Sequence, residues 1–245
     1  MAQQAGVASL KESGSVVSGD IDNDGDPDLV VARECSVGNL SDVGTLYADG
    51  GKSVYFNQGD GTFIEHVLED TSQHFPMGAC TTSLELFDAD LDGDLDLFLI
   101  NGGDPDVETP WQFRKNTQQF TFNWVLFNDG TGMFSNPAEL SPDNVEDARI
   151  SFTMASFDVD GDDINDLLIG EAGFSVARVI SRGDGTWTWD ETDNLSTGDG
   201  LWMGLAVADY DHDGDPDFYL NNGGVLLSDR FRDLFLENTT EGQHW

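Results

Sequence analysis

Basic residues are scarce in this chain. Only 10 of its 245 residues are Lys or Arg, against 47 Asp and Glu, so the formal net charge is −37. Nucleic acids and anionic membrane surfaces are bound through clusters of Lys and Arg. We therefore expect neither nucleic acid nor a membrane surface as a partner.

Cysteine and histidine are also rare. Cys35 and Cys80 permit at most one internal disulfide, and two free thiols explain them equally well. The histidines show none of the spacings that are typical of a transition-metal site. They are His66, His74, His212 and His244.

Long apolar runs are absent, and none reaches the length of a membrane-spanning helix. Residues 1–10 lack the basic and apolar regions of a signal peptide, so we expect that a secreted form has lost its leader or extends upstream. A disordered acidic tail is excluded by a hydrophobic content of 38%, which includes 16 Phe and 6 Trp. The chain is long enough to bury a substantial core.

Aspartate is abundant, and it is arranged in four copies of one nine-residue loop. Loop one (residues 20–28), loop two (88–96), loop three (158–166) and loop four (209–217) hold five Asp each, together 20 of the 47 acidic residues. Like charges this close repel one another. A hard cation with six to eight oxygen ligands reverses that repulsion, and Ca²⁺ suits a flexible carboxylate-rich loop better than Mg²⁺. The loops therefore predict four calcium sites.

The loops recur at intervals of about 50 to 70 residues, which is typical of a repeat architecture. Each is flanked by short apolar segments that predict buried strands, and a third such segment follows. In three repeats a Gly/Asp turn then predicts a hairpin to a fourth strand. The prediction is an all-β propeller of four-stranded antiparallel blades in one domain, with a loop between the first two strands of each blade. The repeats are residues 8–70, 71–140, 141–195 and 196–245.

The segments 203–217, 166–170 and 55–63 resemble the FG-GAP/VCBS calcium repeats of integrin-α-type β-propellers, including the ASPIC/UnbV-like extracellular proteins. The resemblance implies that side chains at loop positions 1, 3, 5 and 9, with the backbone carbonyl of position 7, hold Ca²⁺. Carried over, the ligands are Asp20, Asp22, Asp24, Asp26 and Asp28; Asp88, Asp90, Asp92, Asp94 and Asp96; Asp158, Asp160, Asp162, Ile164 (carbonyl only) and Asp166; and Asp209, Asp211, Asp213, Asp215 and Asp217.

Loop three departs from the repeat, because Asp163 stands where the other loops have Gly25, Gly93 and Gly214. If this position is left-handed, Asp adopts it with some strain. We expect the third site to be occupied but weaker. The family usually builds more than four blades, so the chain either closes into a four-bladed ring or belongs to a longer array. We favour closure, in which residues 3–7 join the C-terminal segment in one blade.

Three other interpretations of the sequence are less well supported. An EF-hand needs an acidic residue at position 12, which here is Val31, Leu99, Ile169 or Leu220, so it is excluded. The tripeptide Arg182-Gly183-Asp184 matches an adhesion motif, but it lies in a predicted hairpin turn that already explains its Gly and Asp. An enzyme built from acids outside the loops would use residues such as Glu108, Glu139 or Glu171, but nothing singles out a pair.

The insertion at residues 102–120 is the best candidate for a ligand surface. It carries Trp111, Phe113, Arg114 and Lys115, although packing against a neighbouring blade explains its aromatic residues as well. Trp187, Trp189 and Trp202 are interpreted as core. We expect a non-enzymatic, extracellular or cell-surface, calcium-stabilised module for binding, adhesion or structure. The alternatives are a carbohydrate-binding lectin, a self-associating subunit of an extracellular filament or surface layer, and a polysaccharide-active enzyme.

Overall fold

The computed structural model describes fifteen strands and the loops that join many of them. The described residues are 5–7, 13–33, 51–68, 81–101, 123–140, 151–171, 176–190, 202–214, 216–222 and 233–237. The strands form four antiparallel sheets, and each sheet is a meander whose hydrogen-bonded neighbours follow one another along the chain.

The first and second sheets have four strands each. The first consists of β1 (Ser13–Gly19), β2 (Asp28–Arg33), β3 (Lys52–Asn57) and β4 (Phe63–Leu68). The second consists of β5 (Thr81–Phe87), β6 (Asp96–Asn101), β7 (Trp124–Phe127) and β8 (Ser135–Glu139).

The third sheet also has four strands, and the fourth has three. The third consists of β9 (Ser151–Phe157), β10 (Asp166–Glu171), β11 (Val176–Ser181) and β12 (Trp187–Asp190). The fourth consists of β13 (Trp202–Ala208), β14 (Asp217–Asn222) and β15 (Leu234–Leu236). Each sheet falls inside one predicted repeat, so the all-β fold of antiparallel meanders is confirmed, and their arrangement as the blades of a propeller stays a prediction.

The predicted ring closure is not resolved by the described residues. The C-terminal segment 238–245 lies outside them, as does the start of the segment 3–7. Residues 5–7 are not in a strand, and Gly6 lies against the backbone carbonyl of Phe63 in β4. Closure into one domain stays a prediction.

Two compact units divide the chain. Residues 1–88 and 92–148 form the first unit, which contains the first two sheets with β1 beside β5. Its core is made by aliphatic side chains of strands β2 to β7 and of loop one: Ile21, Val30, Ala32, Val54, Leu68, Leu84, Leu97, Leu99 and Leu126. Strand β6, the second of its sheet, is buried along its whole length, which explains the unbroken apolar run at its centre, residues 97–100.

The second unit consists of residues 89–91 and 149–245, with β9 beside β13. Its core joins the third and fourth sheets through Leu168, Val176, Trp202, Phe218 and Leu220. Trp202 is 1% exposed, so its prediction as core is confirmed, whereas Trp187 and Trp189 are half-buried. No helix among the described residues is long and apolar enough to cross a membrane.

A glycine permits the close approach of β10 to β13 in the second unit. A Cβ at Gly170 would lie 2.7 Å from Thr153 Cγ2 and 2.9 Å from Trp202 Cβ, closer than side chains pack. By contrast, a Cβ at Gly204 in β13 would lie 3.4 Å from Asn221 Cβ, which is ordinary contact.

Gly170→Ala should therefore lower the free energy of unfolding by about 1 to 3 kcal/mol, because overpacking forces strands and side chains apart. The matched control is Gly204→Ala, which should leave the stability unchanged or raise it by up to about 1 kcal/mol. Urea unfolding followed by tryptophan fluorescence measures both. Equal stability losses in the two variants would contradict this packing.

Lys52 makes the stability of the chain depend on pH. It begins β3, is 1% exposed and pairs with Ala32 and Leu68 on the neighbouring strands. Burial lowers its pKa from 10.5 to about 7. Between these two values the unfolded chain holds the proton that the folded chain has released, so stability should rise with pH across this window.

The variant Lys52→Met should remove this rise, because Met fills a similar volume without a titrating group. The measurement is the free energy of unfolding of both proteins at several values between pH 7 and pH 10. Parallel curves would show that Lys52 does not titrate in this range.

Candidate metal centres

Each of the four acidic loops joins the first strand of its sheet to the second. In every loop the carboxylates at positions 1, 3 and 9 offer oxygens that lie within 4.8 Å of one another. These groups are Asp20, Asp22 and Asp28; Asp88, Asp90 and Asp96; Asp158, Asp160 and Asp166; and Asp209, Asp211 and Asp217. The structure thus brings together three of the predicted ligand side chains at each site.

The carboxylate at position 9 is built into the sheet. Asp28 is fully buried at the start of β2. Its Oδ2 accepts a hydrogen bond from the backbone N–H of Ile21 at 3.1 Å, and its Oδ1 accepts one from the N–H of Asn57 at 2.7 Å. Since Asn57 ends β3, one side chain fixes the loop against two strands.

Loop three repeats both of these hydrogen bonds, and loops two and four each show one of them. Asp166 accepts from the N–H groups of Val159 at 2.9 Å and Ser181 at 2.7 Å. In loop two the N–H of Asn128 donates to Asp96 Oδ1 at 2.9 Å, and in loop four the N–H of Tyr210 donates to Asp217 Oδ2 at 2.9 Å. Position 9 therefore has a structural role in addition to its predicted ligand role.

The carboxylate at position 1 closes the loop upon itself. Its Oδ2 accepts a hydrogen bond from the backbone N–H of position 6 in every loop. The distances are 3.0 Å for Gly25 to Asp20, 2.9 Å for Gly93 to Asp88, 2.8 Å for Asp163 to Asp158 and 3.2 Å for Gly214 to Asp209.

The loops turn through two left-handed residues, at positions 4 and 6. Position 6 is glycine with φ between 94° and 102° in loops one, two and four. Loop three exchanges the residue types, with Gly161 at position 4 and Asp163 at position 6. Asp163 has φ 66°, so the left-handed conformation considered from the sequence is confirmed. Position 4 holds Asn23, Leu91 and His212 at φ 59° to 65°, a conformation that was not predicted for this position.

Three carboxylates of loops one and three have raised pKa values. Burial raises the pKa of Asp166 to about 6, against the opposing effect of the Ser181 and Val159 N–H groups. Burial, followed by the charges of Asp28 and Asp24, raises the pKa of Asp22. Burial and the neighbouring Asp162 and Asp158 do the same for Asp160. A cation between these oxygens would favour their charged forms.

Loop one contains an acceptor that a cation would satisfy. Asp20 Oδ1 is buried and has no hydrogen-bond partner among the described residues. A buried carboxylate oxygen without a partner is unfavourable, and it belongs to one of the groups of converging oxygens. The donor set consists only of oxygen, which suits Ca²⁺ or Mg²⁺ and not a soft metal. The residues fit the predicted ion.

Positions 5 and 7 lie outside the groups of converging carboxylates. The Oδ1 atoms of Asp24, Asp92 and Asp162 accept from the N–H of position 7, at 2.9 Å from Asp26, 3.0 Å from Asp94 and 2.9 Å from Ile164. Asp213 at position 5 of loop four donates its own N–H to Asp209 Oδ1 at 3.2 Å. Asp215 lies outside the described residues. Whether positions 5 and 7 bind the ion stays a prediction.

The sequence prediction did not include the residue at the end of the third strand. Asn57 and Ser181 end β3 and β11, Asn128 directly follows β7, and each donates its N–H to position 9 of its own loop. The signal was present, because Asn stands at the end of the third apolar segment in both of the first two repeats.

The Arg182-Gly183-Asp184 tripeptide is part of a hairpin turn. Asp184 Oδ1 accepts from Thr186 N at 3.0 Å and from Thr186 Oγ1 at 2.5 Å. Arg182 donates to Thr188 Oγ1 at 2.7 Å. The same Asp-to-Thr bonds occur at Asp60 and Asp129 in the first two sheets. These contacts support the interpretation of the motif as turn chemistry.

Other candidates are dispersed or lie outside the described residues. Glu139 is exposed at the end of β8, Glu171 is buried at the end of β10, and His212 is exposed. The insertion at 102–120, which includes Glu108, Trp111, Phe113, Arg114 and Lys115, falls outside the described part of the chain, as do Cys35 and Cys80.

Comparison with solved structures gives matches of low identity. The chain is similar to BBS1N in complex with ARL6DN, in a lead-soaked crystal (12% identity, TM-score 0.48, covering 89% of this chain and 52% of that one) and a mercury-soaked crystal (13%, 0.49, 88% and 53%). It is also similar to a putative exo-beta-1,3-galactanase from Bifidobacterium bifidum s17 (13%, 0.47, 89% and 64%). The chain spans roughly half to two thirds of these structures.

Comparison with curated protein sequences gave no match. A family model does match, and its description is FG-GAP-like repeat. The match covers residues 158–220, from position 1 of loop three to the middle of β14, and so contains both acidic loops of the second unit. Residues 158–220 therefore carry an FG-GAP-like repeat.

Proposed function

We propose that the chain is a calcium-binding, extracellular β-propeller module that binds a partner or supports a structure and catalyses no reaction. The observation that carries this proposal is the recurrence of three converging carboxylates in all four loops. Residues that converge once can do so by chance, whereas four copies at the same place in four sheets indicate one chemical purpose.

Calcium would stabilise the loop and the strands of each blade. When bound, it supplies the positive charge that balances the carboxylates at positions 1, 3 and 9, with positions 5 and 7 as further predicted ligands. The protein already orients these groups, because position 9 is fixed by backbone N–H groups of the loop and of the third strand. Ion binding is thereby linked to the pairing of the first three strands.

An extracellular location agrees with this role. Calcium sites of extracellular modules typically have dissociation constants of about 10⁻⁴ to 10⁻³ M, so they fill where calcium is abundant. The loops hold the blades together, so the partner would be bound elsewhere. We propose a protein or a glycan, held by connecting segments such as residues 102–120, which carry Trp111 and the basic pair Arg114 and Lys115.

Removing calcium should lower the melting temperature. At 100 times the dissociation constant, each filled site adds about 2.7 kcal/mol to the free energy of unfolding. Differential scanning calorimetry of the full chain in excess CaCl₂ and in EGTA measures this gain, with MgCl₂ as the control for ionic strength and charge. An unchanged melting temperature between CaCl₂ and EGTA would refute the proposal.

The variant Asp22→Asn should have opposite effects with and without calcium. In EGTA it should raise the melting temperature, because a neutral amide replaces a carboxylate whose pKa is raised by burial and by the charges of Asp28 and Asp24. In CaCl₂ it should lose part of the stabilisation, since a ligand of site one is weakened.

The matched control is Asp60→Asn, which makes the same charge change at an exposed hairpin. Its Oδ1 can still accept from Thr62, as Asp60 does. This control should keep the full calcium gain. If both variants lose the same amount, the effect is one of net charge and site one does not bind through Asp22.

A further inference from the structure

One buried side chain holds loop one and loop two together in the first unit. Asn128 follows β7 and is 6% exposed. Its Nδ2 donates to the carbonyl of Ile21 in loop one at 2.7 Å and to that of Leu95 in loop two at 3.2 Å. Its Oδ1 accepts the N–H groups of Asp129, Gly130 and Gly132. The amide is fully used, so its orientation is fixed.

This link reaches a predicted ligand position on both sides. The N–H of Ile21 donates to Asp28 at 3.1 Å, and the N–H of Asn128 donates to Asp96 at 2.9 Å. Asp28 and Asp96 are position 9 of loops one and two, and each belongs to its group of converging carboxylates. Three hydrogen bonds thus connect one cation site with the next.

A second bridge joins the same two loops near their surface. Asn23 Nδ2 donates to Asp94 Oδ1 at 2.7 Å. Asn23 lies at position 4 of loop one, directly after the predicted ligand Asp22, and Asp94 lies at position 7 of loop two. Loops two, three and four have Leu91, Gly161 and His212 at position 4, so this amide is particular to loop one.

We propose that loops one and two bind calcium cooperatively, through the Asn128 and Asn23 bridges; this inference rests on the proposed function. A cation in loop one fixes Ile21 and Asn23, and they in turn fix Asn128 and Asp94. The second cation then binds a loop that is already ordered, and this loop loses less conformational entropy when the ion binds. Coupling of this kind raises affinity by roughly five-fold or more, and it is reciprocal between the two sites.

The second unit suggests a variant that should fold. Ser181, at the end of β11, is the counterpart of Asn128. Its N–H donates to Asp166 and its Oγ accepts the N–H of Gly183, so Ser keeps two local bonds. Asn128→Ser should therefore retain the turn while losing the reach to Ile21. Asn23→Gly should retain the left-handed backbone, φ 59° in Asn23, while losing the amide.

The experiment uses the full chain with sites three and four silenced by Asp158→Asn, Asp160→Asn, Asp209→Asn and Asp211→Asn. Isothermal titration with CaCl₂ should give a Hill coefficient above 1 for the two remaining sites. With Asn128→Ser and Asn23→Gly added, the coefficient should fall to about 1.

The matched control is Asn57→Ser. Asn57 is the counterpart of Asn128 in the first sheet, and its side-chain bonds to Pro27 and Gly59 stay within that sheet. This variant should keep the Hill coefficient above 1. A fall as large as that of the bridge variants would show that any loss of local hydrogen bonds suffices, and the inference would be wrong.

A second measurement avoids the bridge variants, in case they do not fold. With Asp88→Asn and Asp90→Asn added to silence site two, the affinity of site one should be at least about five-fold weaker than with site two intact. Binding at both sites without any dependence of one on the other would overturn the inference and leave the proposed function standing. Absence of calcium binding to loops one and two would overturn both.

Discussion

The hydrogen bonds of the position 9 carboxylate are the interaction on which each blade depends. Asp28 and Asp166 each accept one N–H from the loop and one from the end of the third strand. A charge buried to this degree is tolerated only because it is hydrogen-bonded on both oxygens. The same carboxylate faces the converging oxygens of positions 1 and 3, so strand pairing and ion binding share one group.

This arrangement places repulsion at the centre of each blade. Without a cation, three carboxylates within 4.8 Å oppose one another, and this repulsion adds to the burial that raises the pKa values of Asp22, Asp160 and Asp166. The apolar cores of the two units must offset that repulsion. A cation would reverse this repulsion, so the stability of the fold and the binding of its proposed ligand depend on each other.

The repeats share their loop geometry but differ in their connections. In the first unit the Ile21 carbonyl accepts from the Asn128 side chain, whereas in the second unit the Ala89 carbonyl accepts from the backbone N–H of Gly185 at 3.2 Å. Ile21 and Ala89 are both position 2 of their loops. Most substitutions at Asn128 would remove its side-chain hydrogen bond, whereas a backbone bond is kept by every residue type except proline. The hydrogen bonds between loops can therefore differ from repeat to repeat while the blade is kept.

The sequence by itself determined the strands, the meander order and the converging positions 1, 3 and 9, because these depend on short-range rules. Strands such as β5 and β9 lead directly into their acidic loops, as the apolar segments beside the loops predicted. The alignment of the repeats singled out Asp163 as a position where a left-handed backbone was to be considered, and the structure shows that conformation.

Only the tertiary structure decided the role of Asn128 and the two hydrogen bonds of position 9. Asn128 and Ile21 are 107 residues apart in the chain, and no local pattern states which carbonyl a buried amide will meet. The need for Gly170 arises likewise from the approach of Trp202, which lies in another sheet. Periodicity and turn chemistry act over a few residues, whereas a buried polar group is satisfied by whatever the packed fold brings to it.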